Sequence, residues 1–213
     1  VPVRACEALI LRTYPLKEAD LIVSFFTRDQ GKLRGVAKRA RRPKSPFGSG
    51  LERLSHVRMQ FFQREGRELV SLDSCELITS QFALASDYAA GVALDFIAEV
   101  SEQLLPPAEP GERFFRLLLA VLEYLRARQG EGVWQAMTYF TLWSVKLSGF
   151  LPDVRVNAES QAIALEILER PVAQLSARTW TRATAADLRR HLLRAIEEHI
   201  ERKLLTVPLL DTI

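Results

Sequence analysis

Cysteine is scarce in this 213-residue chain, which has two, and histidine hardly commoner, with three. Cys6 and Cys75 lie far apart and cannot by themselves build a disulfide framework or a four-thiolate zinc site. A reducing compartment, the cytoplasm, is therefore the default, and 48% apolar residues must hold the fold without covalent staples. Long apolar runs are missing too. Runs such as Leu117 to Val121 fall far short of the ~18 to 20 residues of a membrane span, so a soluble protein with no membrane partner is expected. No charged-then-apolar leader precedes the first strand-like segment, so export is not indicated. A chain opening at Val1 instead of Met reads as one that has lost its true beginning.

Catalytic patterns are equally sparse. Gly31-Lys32 is not a phosphate-binding loop, because Phe26 stands where its first glycine belongs and Leu33 where Ser or Thr would hold magnesium. Gly48-Ser49-Gly50 lacks the third glycine of a dinucleotide fingerprint, since position 53 is Arg53, and it opens no βαβ unit. His191 and His199 are two turns apart on one predicted helix, too distant to share a metal, and read as surface residues. Acidic pairs such as Asp29 with Glu18 or Asp73 with Glu76 leave a metal-dependent nuclease as one alternative, although scattered carboxylates are ordinarily solvated. No catalytic, cofactor-binding or metal-binding residue is assigned, and no enzyme activity is expected.

Charge, by contrast, is present and unevenly placed. Residues 1–80 hold 15 Lys+Arg against 9 Asp+Glu, a balance of +6, and the remainder carries −3. A basic module that meets a polyanion, joined to a module with another task, is the expectation. The hydrophobic period changes at the same place. Strands are predicted at Ala5 to Thr13, Ala19 to Thr27, Lys32 to Lys38, Ser55 to Gln63 and Arg67 to Ile78, with Gly-bearing turns at Arg28 to Gly31 and Arg64 to Gly66. The long connection Arg39 to Leu54 interrupts them. Five short antiparallel strands fit an OB-fold barrel and equally an SH3-like one. After Ser80 the pattern predicts helices: Asp87 to Leu105, Arg113 to Arg128 as a central buried helix, Val133 to Leu147, and a last helix capped by Thr184. The domain boundary is placed near residue 80, with 1–80 and 81–213 as separate α+β components.

From Arg28 to Lys44, eight cations (Arg28, Lys32, Arg34, Lys38, Arg39, Arg41, Arg42 and Lys44) face one acid, Asp29. Such a run repels itself until an anion neutralises it, as phosphates do. Strand alternation points Lys32, Arg34 and Lys38 one way and Leu33 and Ala37 into the core. Arg12 and Lys17 extend the groove, and Tyr14 and Phe47 are candidates to stack on bases or, equally, to pack in the core. A basic RNA- or ribosome-associated binding module is a further alternative.

The segments Leu9-Ile10-Leu11-Arg12-Thr13-Tyr14, Glu18-Ala19-Asp20-Leu21, Phe26-Thr27, Gly31-Lys32 and Ala37-Lys38-Arg39-Ala40-Arg41-Arg42-Pro43-Lys44-Ser45 together resemble the opening of the bacterial DNA repair RecO family. The likeness continues through Tyr88, Glu99 to Leu105, Glu109-Pro110, Phe114 to Leu118, Gly149 to Pro152 and Leu192 to Leu204. It implies an N-terminal OB-fold and an all-α C-terminal domain for partner binding. It also implies a recombination mediator that binds single- and double-stranded DNA and anneals complementary strands. With RecR, such a protein helps RecA replace single-stranded DNA-binding protein (SSB), whose acidic, Phe-ended tail the helical domain holds, and acts at the nucleoid. Many relatives carry a four-cysteine zinc site after the segment matching Gly149 to Pro152. No cysteine follows it here and Asp153 to Val156 forms an abrupt junction. Either the branch is zinc-free or a segment is missing there, so no cofactor is expected unless such a four-cysteine segment exists. The ending Leu205-Thr206-Val207-Pro208 also lacks the family's usual Lys/Arg.

Overall fold

The computed structural model describes residues 3–213. Five strands come first: β1 (Val3–Leu16), β2 (Asp20–Thr27), β3 (Gly31–Ala37), β4 (His56–Phe62) and β5 (Val70–Thr79). Six α-helices follow among the described residues: α1 (Phe82–Ala85), α2 (Tyr88–Leu104), α3 (Glu112–Ala127), α4 (Val133–Leu147), α5 (Ala158–Glu169) and α6 (Ala186–His199). The chain forms two compact units, one of the residues up to Ala83 with Leu105–Phe115, the other of Leu84–Leu104 with Arg116–Ile213.

In the first unit the strands close in the order β1-β2-β3-β5-β4. Their inward residues alternate along each strand, and Ile10, Val23, Phe25, Leu33, Val57, Met59, Phe61 and Leu72 fill the interior. Phe25 and Phe61 meet edge to face there, with ring centres 6.0 Å apart. The sheet is mixed, not antiparallel throughout as expected: Gly35 to Ala37 of β3 run parallel to Val70 to Leu72 of β5. A ring of five strands makes this unavoidable, because an odd number of strands cannot alternate direction all the way round. Gly35 sits at that join, where any Cβ would lie within 2.8 Å of Val70 and Leu72 side chains.

Residues 105–115 pack on the barrel beside the first half of β3. The Ala108 N–H donates to the Lys32 carbonyl at 2.8 Å, Lys32 bridges in parallel to Pro107, and Phe114 and Phe115 pack on Phe26. Gly31, at φ 78°, has no room for a side chain: its Cβ would fall 2.2 Å from the Glu109 carbonyl oxygen. The Pro106-Pro107 and Pro110-Gly111 breaks thus delimit a strap as well as ending a helix.

In the second unit the central helix is α4, buried over most of its length and packed against α2 and α6. The helix expected in that role, α3, is instead amphipathic, with Arg113, Arg116 and Glu123 exposed. Thr184 does not cap α6. Its hydroxyl donates to the Thr179 carbonyl and accepts from the Thr181 N–H, and the residue before α6 is Ala185 in a left-handed conformation. The sequence reading also omitted α5, which Asn157 caps by accepting the Ser160 N–H at 2.8 Å. Among the described residues no helix is long and apolar enough to cross a membrane.

Candidate nucleic-acid interface

The register of β1, β2 and β3 builds two rows across the outer face of the barrel. Arg12 pairs with Ser24, which pairs with Arg34, and in the next outward row Tyr14 pairs with Ile22, which pairs with Val36. An irregularity between Ile10 and Arg12 turns Arg12 and Tyr14 outward while Ile10 stays in the core. A basic row therefore borders a half-buried apolar one. The Arg12 and Arg34 guanidiniums lie 4.9 and 5.8 Å from the centre of the Tyr14 ring. The other end of this face, at Phe26 and Lys32, is covered by residues 105–115.

The connection from Lys38 to Ser55 is a succession of tight turns, closed by hydrogen bonds from Arg42 to Arg39, Ser45 to Arg42, Gly48 to Ser45 and Gly50 to Phe47. It is fastened at two points. The Arg39 N–H donates to Asp20 Oδ1 at 2.8 Å and the Arg41 N–H to the Ala19 carbonyl at 3.1 Å, which brings the turn carrying Lys17 beside it. Further on, Phe47 enters the barrel core, 2% exposed. Phe47 is thus an anchor for the loop, not a surface for bases, because its ring is sealed among core side chains. Lys17, Lys38, Arg39, Arg42 and Lys44 are exposed and meet no carboxylate among the described residues. Arg41 reaches only the Glu18 carbonyl, at 3.5 Å.

Arg28 has a different environment from the rest of its run. It holds Glu7 at 3.1 Å and Glu112 at 3.0 Å and lies 5.4 Å from the Phe115 ring. Burial favours the neutral Glu7 carboxyl, but hydrogen bonds from His56 and Arg28 outweigh it and hold Glu7 below its ordinary range. Arg28 is neutralised inside its own unit and drops out of the groove. Lys32 is half-buried beside the strap. Arg12, Tyr14, Lys17, Arg34, Lys38, Arg39, Arg41, Arg42 and Lys44 are left on the open rows and the loop that borders them.

His191 Nε2 lies 3.0 Å from the Asp153 carbonyl and His199 stacks on Phe150 at 3.9 Å. These contacts fasten the junction that the sequence marked as abrupt to α6. Burial pushes the Cys6 thiol up to about 12 and the Cys75 thiol up to about 11, so neither is a ready nucleophile. Among the described residues no three His, Cys, Asp or Glu side chains group as metal ligands.

The sequence reading missed a cavity of about 570 Å³ in the second unit, bordered by Trp134, Arg182, Arg189, Arg190, Leu193 and Leu210. Arg189 is 6% exposed. It donates to Thr138 Oγ1 at 3.0 Å and to the Thr184 carbonyl at 2.5 Å, and it lies 4.6 Å from the Trp134 ring. Burial, then the charges of Arg182 and Arg190, push it down to about 10. Trp134 and Arg189 lie 55 positions apart in the sequence, which left no local signal.

A family model described as the N-terminal part of recombination protein O matches residues 3–81, and one for its C-terminal part matches 85–166. A DNA repair protein RecO from Koribacter versatilis is 40% identical over 239 residues, covering 96% of this chain and 97% of the relative. A match of that length must open gaps in a 213-residue chain, so the relative carries internal residues that this chain lacks. The RecO proteins of Bifidobacterium animalis subsp. lactis and Geobacter sulfurreducens are 38% and 37% identical over 68% and 58% of the chain, spanning 60% and 50% of their own lengths. With both regions matched and one relative aligned nearly end to end, the chain belongs to the RecO family of DNA repair and recombination proteins.

Proposed function

We propose that this chain is a non-enzymatic recombination mediator, which binds single- and double-stranded DNA and anneals complementary strands. With RecR it helps load RecA on SSB-coated DNA. The observation that supports this reading best is that the exposed Lys17, Lys38, Arg39, Arg42 and Lys44 beside the open outer face of the barrel meet no carboxylate among the described residues. The strand order, with one parallel pair between β3 and β5, fits an OB-fold, whose members bind single strands in a basic groove with stacking side chains.

The physics is screening. Two complementary strands repel through their phosphates, and a set of exposed lysines and arginines that replaces their counterions lowers that repulsion as they approach. No nucleotide need be hydrolysed. Fixing the loop at Asp20, Ala19 and Phe47 holds Lys38 to Lys44 beside the Arg12 and Arg34 row, so one strand can meet both.

For the acidic, Phe-ended SSB tail we assign the cavity at Trp134 and Leu210, where an apolar lining takes the ring and the exposed Arg190 meets the carboxylates. RecR is assigned as a partner on family membership alone, and cytoplasmic action at the nucleoid follows from the same role. Annealing of SSB-coated complementary strands without nucleotide tests the proposal. Acceleration by the wild type, and its loss in the Lys38→Ala, Arg41→Ala, Arg42→Ala triple variant, are expected. No acceleration, an unimpaired triple variant, or a preference for structured RNA in competition would contradict it.

A further inference from the structure

We infer that Tyr14 sets the preference of the barrel for unpaired over paired DNA, and that losing its contact on pairing lets the protein release the duplex it has made. This rests on the DNA-binding reading above. Tyr14 belongs to the half-buried row with Ile22 and Val36, its hydroxyl makes no hydrogen bond among the described residues, and the guanidiniums of Arg12 and Arg34 lie over its ring at 4.9 and 5.8 Å. Arg12 has no carboxylate partner among the described residues. Both arginines are exposed, and a guanidinium over a ring in water is weakly held. Arg12 can therefore exchange the ring for a phosphate while a base takes its place on the ring.

The loop cations cannot discriminate in this way. They meet phosphates, which single strands and duplexes both present, and the aromatic residue in that loop, Phe47, is sealed in the core. A base offers its face to Tyr14 only when it is unstacked, and duplex pairing withdraws it. The tyrosine therefore adds to the grip on the reacting strands and not to the grip on their product. Fresh single strands displace the duplex for this reason, while the loop keeps both within reach.

The experiment measures binding of labelled oligothymidylate and of a labelled hairpin duplex, at one salt concentration, by fluorescence anisotropy. The Tyr14→Leu variant keeps an apolar residue in the row and is expected to bind the single strand roughly 5- to 100-fold more weakly, with duplex binding unchanged. Tyr14→Phe should retain wild-type binding to both, since the hydroxyl is unbonded. Excess duplex should inhibit annealing more strongly in Tyr14→Leu than in the wild type. Equal losses on both DNA forms, or no loss on the single strand, would overturn the inference while leaving the mediator reading intact. A wild-type protein that binds neither form would overturn both.

Discussion

The two units of this chain differ in how they hold their clustered cations. In the helical unit, cations are repeatedly tied to acids: Arg178 holds Glu166 at 2.5 Å, Lys203 holds Glu197 at 2.6 Å, Arg182 pairs with Asp211, and Arg189 is sealed among carbonyls, Thr138 and Trp134. In the barrel unit, Lys17, Lys38, Arg39, Arg42 and Lys44 project into solvent and meet no carboxylate among the described residues, whereas Arg28 is tied to Glu7 and Glu112 and Arg58 reaches Glu76. A cation satisfied within the fold stabilises it and has little left for an outside anion. A cation left unsatisfied contributes nothing to stability and is available to phosphate.

The largest expected break in this comparison lies in the anchor of the basic loop. Phe47→Ala removes a fully packed ring and should destabilise the barrel by about 3–5 kcal/mol, read by denaturant unfolding, whereas Tyr14→Ala should cost less than about 1 kcal/mol. Equal costs would mean that the loop is not held by the core.

Next in size is the matched charge of the helical unit. Glu166→Ala leaves Arg178 partly buried without its carboxylate and should cost about 2–3 kcal/mol, with DNA affinity measured below the unfolding transition unchanged. A loss of DNA binding there would break the division of labour.

The same carboxylate gives a pH signature. Burial raises its pKa, but hydrogen bonds from Ser176 and Arg178 prevail and hold it at about 2, against an ordinary 4.5. A lowered folded-state value contributes stability that is fully present above 4.5 and is lost as pH falls from there toward 2. Asp187, lowered despite burial by hydrogen bonds from Ser160, Asn157 and Leu188, acts with the same sign. Acid titration of the thermal midpoint should be shallower in Glu166→Gln than in the wild type; parallel curves would remove Glu166 from the account. The smallest effect is none. Since we propose no bound metal, dialysis against a strong chelator should leave the thermal midpoint and DNA binding unchanged, and a drop in either would expose a site.

Much of this was legible in local pattern. The five strands and α2, α3, α4 and α6 follow hydrophobic period and the Gly and Pro breaks, which act over a few residues. The alternation in β3 placed Lys32 and Arg34 outward and Leu33 and Ala37 inward, as found. What escaped depends on distant partners. The parallel β3 to β5 join, the return of residues 105–115 to the barrel, and the pairing of Arg28 with Glu112 bring together residues from far along the chain. Phe47 and Tyr14 are alike in the sequence, each an aromatic near cations. Only the closing of the barrel core around Phe47, and the outward turn after Ile10, separate an anchor from a candidate stacking surface. The helix α5 had a local signal, the Asn157 cap before Ile163, Ala164 and Ile167, but its weak amphipathicity hid it.

The central claim is that the unmatched cations of the barrel meet phosphates, and salt dependence tests it most directly. Plotted as the logarithm of the binding constant against that of salt concentration, wild-type binding to single-stranded DNA should fall steeply. The Lys38→Ala, Arg41→Ala, Arg42→Ala variant should have a slope shallower by about 2, and by about 3 on duplex. Identical slopes in the two proteins, or a flat response in the wild type, would contradict the account.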